Sequence, residues 1–235
     1  MLNAGLVTDR SFGVRMYVSD LSMSDEFYDR WYERMPKERQ KRADRFKHDA
    51  DRHRLIGAYA LLVHAMTELF EGEDLSGRFN ISETSDGKPY FTDIPVCFNI
   101  SHSMDRIAVA LSPKEVGCDV EVKSGNVLSV AKRFFTPEEY VYLQSIEDEE
   151  ERSGEFTRIW TMKESVVKCS GEGIRHRFDD FSCVDEKGIA KGEITLAGKD
   201  SGYHIKEYES ENGYRYSVCS MHDRFEDSIR RITLK

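Results

Sequence analysis

The pattern of apolar and polar positions along the chain predicts a mixture of helices and strands. Apolar residues recur at helical spacing over residues 55–70 and again over 156–167, which predicts two helices packed on a core. Shorter helices are predicted over 25–35, from residue 37 onward and over 129–135. β-branched runs bounded by turn residues predict strands over 13–18, 78–82, 96–101, 106–112, 181–185, 193–197, 203–209 and 214–220.

Local signals refine the boundaries of these elements. Thr136-Pro-Glu-Glu139 is typical of a helix start, with an N-cap threonine, proline in the first position and glutamate closing a capping box. Pro36 is expected at the first position of the helix that follows it. Residues 147–151 are expected to form an acidic surface linker. The hinge at 112–115 divides the chain into predicted halves, 1–112 and 113–235.

Composition narrows the class of protein. The chain has 235 residues, of which 39% are hydrophobic and 33% charged, as in soluble globular proteins with a real core. No apolar run approaches the ~20 residues of a membrane span, and residues 1–15 lack the pattern of a signal peptide. The five cysteines contain no Cys-x-x-Cys pair, which indicates reduced thiols and a cytoplasmic location. The net charge of −9 argues against general nucleic-acid binding.

A pair of carboxylates is the first candidate for chemistry. Asp119 and Glu121 lie two residues apart in a β-like run, so on a strand their side chains point to the same face. Adjacent carboxylates repel each other unless a cation lies between them. The pair is interpreted either as the solvated face of an edge strand or as oxygen ligands for a divalent ion.

A basic segment is the second candidate. Residues 37–54 contain eight Lys or Arg against four Asp or Glu, in a chain that is acidic elsewhere. Such a run is usually a solvated helix face. The functional alternative is an anion site, in which Arg39, Arg42 and Arg54 converge on a phosphate.

A third candidate lies on the helix predicted over 156–167. Trp160, Glu164 and Lys168 follow at one-turn intervals and therefore share a face. One interpretation is an ordinary Glu164–Lys168 ion pair, worth about 0.3–0.5 kcal/mol. The other is that the tryptophan marks a buried face, where Glu164 needs a counter-charge. A metal ion shared with the carboxylate pair would supply that charge.

Four motifs occur in order along the chain: Phe98-Asn-Ile-Ser-His-Ser103, Gly117-Cys-Asp-Val-Glu121, Arg133-Phe-Phe-Thr-Pro-Glu-Glu-Tyr140 and Trp160-Thr-Met-Lys-Glu-Ser165. Together they resemble the Sfp-type 4′-phosphopantetheinyl transferases, over roughly residues 36–182. Each motif alone is weak, but four in the family's order and spacing are specific. Thr161 and Cys118 are small departures from the family's usual serine and aliphatic residue. The resemblance implies an α+β fold of two similar α/β halves about a pseudo-twofold axis, with coenzyme A between them.

The resemblance also implies roles for individual residues. Asp119, Glu121 and Glu164 would be magnesium ligands, and Lys168 would assist the leaving phosphate. Glu164 is also expected to deprotonate the accepting serine, directly or through water. The residues expected to bind coenzyme A are Arg39, Arg42, Arg54, Lys88, Ser101 and His102. Lys88 is placed near the adenine-ribose end and the others near the 3′-phosphate, while His102 stays open to the alternative of a satisfied core histidine.

The implied activity is magnesium-dependent transfer of 4′-phosphopantetheine from coenzyme A to a serine of an apo acyl or peptidyl carrier protein. A monomer in the cytoplasm is expected, with no nucleic-acid or membrane partner. Magnesium prefers oxygen ligands and bridges substrate phosphates, which suits a small carboxylate set. The alternative is a non-catalytic coenzyme A or carrier-protein binding module, which is expected to have lost a carboxylate. A metal-dependent phosphohydrolase would need a second acidic cluster to activate water.

Overall fold

A computed structural model of the chain describes residues 12–71, 73–122, 127–171 and 178–235. Its helices are α1 (Asp25–Arg34), α2 (Lys37–Ala43), α3 (Asp49–Leu69), α4 (Leu128–Phe134), α5 (Pro137–Ser145) and α6 (Glu149–Ser170). Its strands are β1 (Arg15–Asp20), β2 (Ile81–Glu83), β3 (Pro89–Phe91), β4 (Cys97–Ser103), β5 (Arg106–Ser112), β6 (Val116–Val122), β7 (Glu193–Leu196), β8 (Lys199–Glu211), β9 (Tyr214–Ser220) and β10 (Arg230–Arg231). The combination is an α+β fold, as expected.

The strands form two four-stranded sheets and a short ribbon. The first sheet has the order β10-β1-β5-β4, the second has the order β6-β9-β8-β7, and β2 pairs with β3. Each large sheet carries one long helix, because α3 packs on β1 and β5 while α6 packs on β6 and β9. The other faces of the two sheets meet each other across an apolar layer.

Alternation along β1 shows how the first sheet is buried on both faces. Tyr17 belongs to the core that α3 covers, whereas its neighbours Met16 and Val18 belong to the layer between the sheets. Successive side chains of a strand point to opposite faces, so a strand between two layers needs apolar residues at every position. The order of layers is therefore helix, sheet, sheet, helix.

The hairpin between β8 and β9 follows from its turn residues. Asn212 has φ 50° and Gly213 has φ 81°, and two consecutive left-handed residues are the requirement of a type I′ turn. The turn returns the chain along β9, which occupies an inner position beside β6. The Asn-Gly signal thus predicts the hairpin on which the position of β6 depends.

The end of the chain returns to the first sheet. β10 pairs with β1 in parallel, with Arg230 opposite Tyr17 and Arg231 opposite Val18. No pattern in the sequence predicts this strand of two residues. The division into halves at 112/113 and the pseudo-twofold axis between them stay predictions.

Three local predictions are wrong. Residues 147–151 are not a linker: Asp148 caps α6 by accepting a hydrogen bond from the Glu151 amide at 2.7 Å, and acidic residues are favoured in a first helical turn. Residues 181–185 form only the isolated bridge between Val184 and Ala190. Pro36 is the N-cap of α2 and not its first residue.

The cysteines agree with the prediction of reduced thiols. None of the five forms a disulfide bond, and four of them are buried. Among the described residues, no helix combines the length and the apolar character that crossing a membrane requires.

Candidate active site

The carboxylate pair lies where β4, the edge strand of the first sheet, packs against β6, the edge strand of the second. β6 is an edge strand, but Asp119 is only 1% exposed, so the interpretation as a solvated face is wrong. Its Oδ1 accepts hydrogen bonds from the Ser101 hydroxyl at 2.8 Å and from Lys168 Nζ at 2.5 Å. Its Oδ2 is buried and has no hydrogen-bond partner among the described residues. Glu121 accepts a hydrogen bond from the Ser103 hydroxyl at 2.8 Å.

The carboxyl groups at this edge are electrostatically strained. Burial and the nearby charge of Asp119 raise the pKa of Glu121. Burial is also the largest cause that raises the pKa of Glu164. The charge of Lys168 lowers this pKa, and the charges of Asp119 and Glu121 raise it. Burial and mutual repulsion both disfavour the ionised carboxyl groups, and a cation between them would relieve both effects. Such a cluster favours the arrival of a cation.

The side chains that the sequence placed on one face of α6 line a large cavity together. Trp160, Glu164 and Lys168 all border a space of about 710 Å³. The ordinary ion pair between Glu164 and Lys168 is not formed, because Lys168 instead binds Asp119 on β6. Burial alone would lower the pKa of Lys168, but the charge and hydrogen bond of Asp119 raise it overall. The lysine therefore stays cationic at neutral pH.

Gly117 permits this contact between α6 and β6. A Cβ atom at Gly117 would lie 2.2 Å from the backbone N of Cys169 and 2.2 Å from the backbone O of Ser165. Both are backbone atoms of α6, so no side-chain rotation could make room. The absence of a side chain at this position brings Lys168 within reach of Asp119.

Aromatic residues form one wall of the large cavity. The ring centroid of Trp160 lies 5.0 Å from that of Phe178 and 6.1 Å from that of Phe134. Arg133 also lines the cavity, with its guanidinium 5.1 Å from the centroid of the Phe134 ring. The Arg133-Phe-Phe motif contains this signal, but no site role was inferred from it in the sequence.

The basic residues form a second cavity that adjoins the first. Arg39, Arg42, Arg54 and His102 line a space of about 230 Å³. Gly87, Pro89 and Ile100 border both cavities, so the two spaces are neighbours. The structure thus brings together the three arginines and the histidine that the sequence grouped. Ser101, in contrast, lies with Asp119 and Lys168.

Charge in the second cavity is only partly neutralised. Arg54 pairs with Asp51 at 2.7 Å, and Arg42 pairs with Glu83. Burial, with a contribution from Arg42, lowers the pKa of Arg39. Burial and the cations Arg54 and Lys168 lower the pKa of His102, which is therefore neutral at pH 7. An anion in this cavity would relieve the crowding of positive charge.

Lys88 joins the turn before β3 to α6 and to the residue before β6. Its Nζ donates to the backbone O of Cys169 at 2.8 Å and pairs with Glu115 at 2.6 Å. Lys88 also lines the large cavity, as do Gly87 and Pro89 beside it. The turn that carries it is therefore fastened to the C-terminal end of α6, where cations are favoured by the unpaired carbonyl groups.

Comparison with known proteins adds an independent observation. A family model described as the 4′-phosphopantetheinyl transferase superfamily matches residues 115–219. Over 223 residues the chain is 31% identical to 4′-phosphopantetheinyl transferase Sfp of Bacillus subtilis (strain 168), which covers 94% of this chain and 96% of that protein. Over 124 residues it is 36% identical to 4′-phosphopantetheinyl transferase AcpT of Escherichia coli (strain K12), covering 51% of this chain and 58% of that protein.

The first of these alignments spans nearly the whole of both chains. The chain belongs to the 4′-phosphopantetheinyl transferase superfamily. The residues matched by the family model run from Glu115, just before β6, to Cys219 in β9. They include both carboxylates of β6 and the whole of α6, whereas the arginine cavity is built by residues before the match.

One lysine of the transferase-family motif Trp160-Thr-Met-Lys-Glu has a role that the sequence did not predict. Lys163 is fully buried and pairs with the equally buried Glu139 at 2.8 Å. It also donates to the backbone O of Phe178 at 2.6 Å and of Phe181 at 2.5 Å. Glu139 forms the expected capping box with Thr136 and, in addition, accepts from the Cys183 amide at 2.7 Å. Lys163 therefore joins α5, α6 and the segment after residue 177.

The described part of this transferase-family chain contains no group of three or more His, Cys, Asp or Glu side chains already arranged to hold a metal ion. The donor chemistry nevertheless suits one, because Asp119 Oδ2 is a buried oxygen without a partner. Burial and the neighbouring negative charges raise the pKa values of Glu121 and Glu164. All three side chains offer the oxygen atoms that Mg²⁺ prefers.

Proposed function

We propose that the protein is a magnesium-dependent 4′-phosphopantetheinyl transferase. It moves the 4′-phosphopantetheine arm of coenzyme A onto a serine of an apo carrier protein and releases adenosine 3′,5′-bisphosphate. The observation that carries the proposal is the adjoining pair of cavities. One is bordered by Glu164 and Lys168 next to the carboxylates of β6, and the other is lined by three arginines and a histidine.

The two cavities suit the two anionic parts of coenzyme A. The arginine cavity supports binding of the 3′-phosphate, because Arg39, Arg42 and Arg54 supply charge-assisted donors. His102 supplies a neutral donor there, and Ile100 lies between the two spaces as an apolar surface. The pyrophosphate then falls in the larger cavity, within reach of Lys168. The aromatic wall of that cavity leaves room for the uncharged remainder of the molecule.

Three carboxylates are proposed to hold the metal. Asp119 would bind through its free Oδ2, and Glu121 and Glu164 would complete the protein's oxygen ligands. Mg²⁺ bound there would neutralise charge on the pyrophosphate and hold its oxygens in place for displacement. Lys168 neutralises Asp119 on its other oxygen, so the aspartate is already fixed in orientation.

The chain's own residues then perform the remaining steps. The serine oxygen of the carrier attacks the phosphorus attached to pantetheine, and the bond from that phosphorus to the bridging oxygen breaks. Glu164 borders the large cavity and accepts the serine proton, directly or through water. Lys168, cationic at neutral pH, stabilises the negative charge that develops on the departing adenosine phosphate.

The proposed partners are apo acyl or peptidyl carrier proteins. We also propose that the protein acts as a monomer in the cytoplasm. The nucleophile is a serine of the carrier protein, so the displacement needs no nucleophilic serine from this chain. A non-catalytic binding module is the alternative, but Asp119, Glu121 and Glu164 are all present. Retention of every acidic residue favours catalysis over binding alone.

The test is incubation with coenzyme A, Mg²⁺ and a panel of apo carrier proteins from fatty-acid, polyketide and peptide synthesis. The expected result is a gain in carrier mass equal to one phosphopantetheine group, together with release of adenosine 3′,5′-bisphosphate. A carrier in which the accepting serine is replaced by alanine is the control. Binding of coenzyme A or a carrier with no mass gain across the panel contradicts the enzyme and supports the binding module.

A further inference from the structure

Two edge strands from different sheets face each other at the candidate active site. β4 is the last strand of the first sheet, and β6 is the first strand of the second. The outward backbone groups of an edge strand have no ladder partner and need hydrogen bonds from elsewhere. Here side chains of β4 supply them: Asn99 Oδ1 accepts from the Cys118 amide at 2.9 Å, and Ser101 Oγ accepts from the Val120 amide at 3.4 Å.

Alternation along β4 separates two tasks. Asn99, Ser101 and Ser103 point toward β6, whereas Ile100 and His102 line the arginine cavity. Positions i, i+2 and i+4 of a strand share one face, so this division follows from the backbone. Adjacent residues of the Ser-His pair thus serve opposite sides of the strand.

The two serines match the two carboxylates one to one. Ser101 donates to Asp119 at 2.8 Å, and Ser103 donates to Glu121 at 2.8 Å. Both pairs have the same spacing of two residues on their strands. Ser101 Oγ also accepts from Lys168 Nζ at 3.0 Å, so one hydroxyl contacts the aspartate and the lysine together.

We propose that Ser101 and Ser103 are positioning residues that orient the carboxylates of Asp119 and Glu121 for the metal ion. This inference rests on the proposed function, because it takes these two carboxylates as metal ligands. A hydroxyl donor fixed on one carboxylate oxygen directs the other oxygen toward the ion and limits rotation of the group. The first sheet thereby contributes to a metal site whose ligands all lie on the second sheet and its helix. The metal site is complete only while the edges of β4 and β6 remain in contact.

The test measures metal binding directly, with Mn²⁺ as the probe. The protein is saturated with coenzyme A in the absence of a carrier, and bound Mn²⁺ is measured from the loss of the free-ion electron paramagnetic resonance signal. Loss of an outer hydrogen bond to a ligand typically weakens metal affinity by about 10–100-fold, which is the expected effect of Ser103→Ala. Ser103→Thr keeps the hydroxyl and is expected to restore most of the affinity. Ser101→Ala is expected to weaken Mn²⁺ binding and also to lower turnover, because Lys168 loses a contact.

Ser112→Ala is the matched control. The hydroxyl of Ser112 also joins the two sheets, through a buried hydrogen bond of 3.0 Å to Ser220. Ser112 lies on β5 opposite Cys97, which is the end of β4 far from Ser103. It tests whether any lost bond between the sheets weakens the metal site. The expected result is unchanged Mn²⁺ affinity in this variant.

The outcomes separate this inference from the proposed function. Parent-like Mn²⁺ affinity in Ser103→Ala, or equal losses in Ser103→Ala and Ser112→Ala, overturns the positioning role even if the parent transfers phosphopantetheine normally. A parent that binds Mn²⁺ and loses it in Ser103→Ala, yet modifies no carrier, contradicts the transferase while the positioning role stands. A parent that transfers but binds no Mn²⁺ overturns both the metal site and the role of its serines.

Discussion

The buried ion pair of Lys163 and Glu139 allows a prediction about the stability of the fold. Lys163 stands next to Glu164 in the motif Trp160-Thr-Met-Lys-Glu, but the sequence alone assigned no role to this lysine. In the structure both members of the pair are 0% exposed. Lys163 lies away from the cavity and bonds to two backbone carbonyl groups behind α6. We therefore expect Lys163→Met to lower the free energy of unfolding and not to act on the transfer step itself.

The magnitude follows from what the substitution leaves behind. Removing one partner of a buried ion pair costs about 3–5 kcal/mol, because the other charge stays buried without compensation. The backbone O of Phe178 and of Phe181 also lose their donor, and an unsatisfied buried acceptor costs about 1–3 kcal/mol. These effects overlap, since all of them come from the loss of the same ammonium group. We expect a total loss of about 4 kcal/mol in the free energy of unfolding, which corresponds to a fall in Tm of roughly 8–16 °C for a chain of this size.

The assay is urea unfolding followed by tryptophan fluorescence. Trp160 lies one turn before Glu164 on α6 and reports on the surroundings of that helix. Asp227→Asn is the control, because Asp227 is fully exposed and pairs with Lys206 at 3.2 Å. An exposed pair is worth at most about 1 kcal/mol. A double variant, Lys163→Met with Glu139→Leu, is expected to cost less than the sum of the single changes, because no uncompensated charge remains. A Lys163→Met protein within about 1 kcal/mol of the parent would refute the structural role.

Four further changes test the site. Glu164→Gln removes both the proposed base and a proposed metal ligand. The single-turnover rate is expected to fall by roughly a hundredfold, while coenzyme A still binds. A rate within about threefold of the parent leaves Glu164 with only a structural role. Arg54→Ala is expected to raise KM for coenzyme A more than KM for dephospho-coenzyme A, and equal increases contradict the 3′-phosphate assignment. Gly117→Ala forces α6 away from β6, so the free energy of unfolding in urea is expected to fall by about 1–3 kcal/mol and turnover to fall with it. Gly192→Ala is the control, because an added Cβ there meets nothing within 4 Å. Burial and nearby cations hold the pKa of His102 below 6.5, so this side chain is mainly neutral at pH 6.5 in the free protein. A phosphate bound beside His102 raises this pKa, so the complex takes up a proton. Binding of coenzyme A is therefore expected to tighten as the pH falls. Calorimetric titration in two buffers of different ionisation enthalpy measures that uptake, and equal uptake by the parent and His102→Gln removes His102 from the phosphate site.

Short-range geometry made part of the site readable from the sequence. Asp119 and Glu121 share a face because a strand has a period of two, and Glu164 and Lys168 share a face because they are one helical turn apart. The start of α5 at Thr136-Pro-Glu-Glu139 and the hairpin at Asn212-Gly213 follow from the same kind of local rule. Each of these features depends on residues only a few positions apart, so no knowledge of the rest of the chain is needed.

Residues far apart in the sequence decided the remaining features. The one-turn spacing of Glu164 and Lys168 favours an ion pair between them, yet Lys168 binds Asp119, 49 residues away, because Gly117 lets α6 approach β6. Alternation places Ser101 and His102 on opposite faces of β4, but only the packing of β4 against β6 sets which face meets the carboxylates. The burial of Lys163 and the return of β10 to β1 likewise depend on which surfaces meet. The sequence by itself determined which side chains share a face, since backbone geometry repeats locally. Only the tertiary structure decided which face each one meets, because that depends on how whole layers pack to bury their apolar surface.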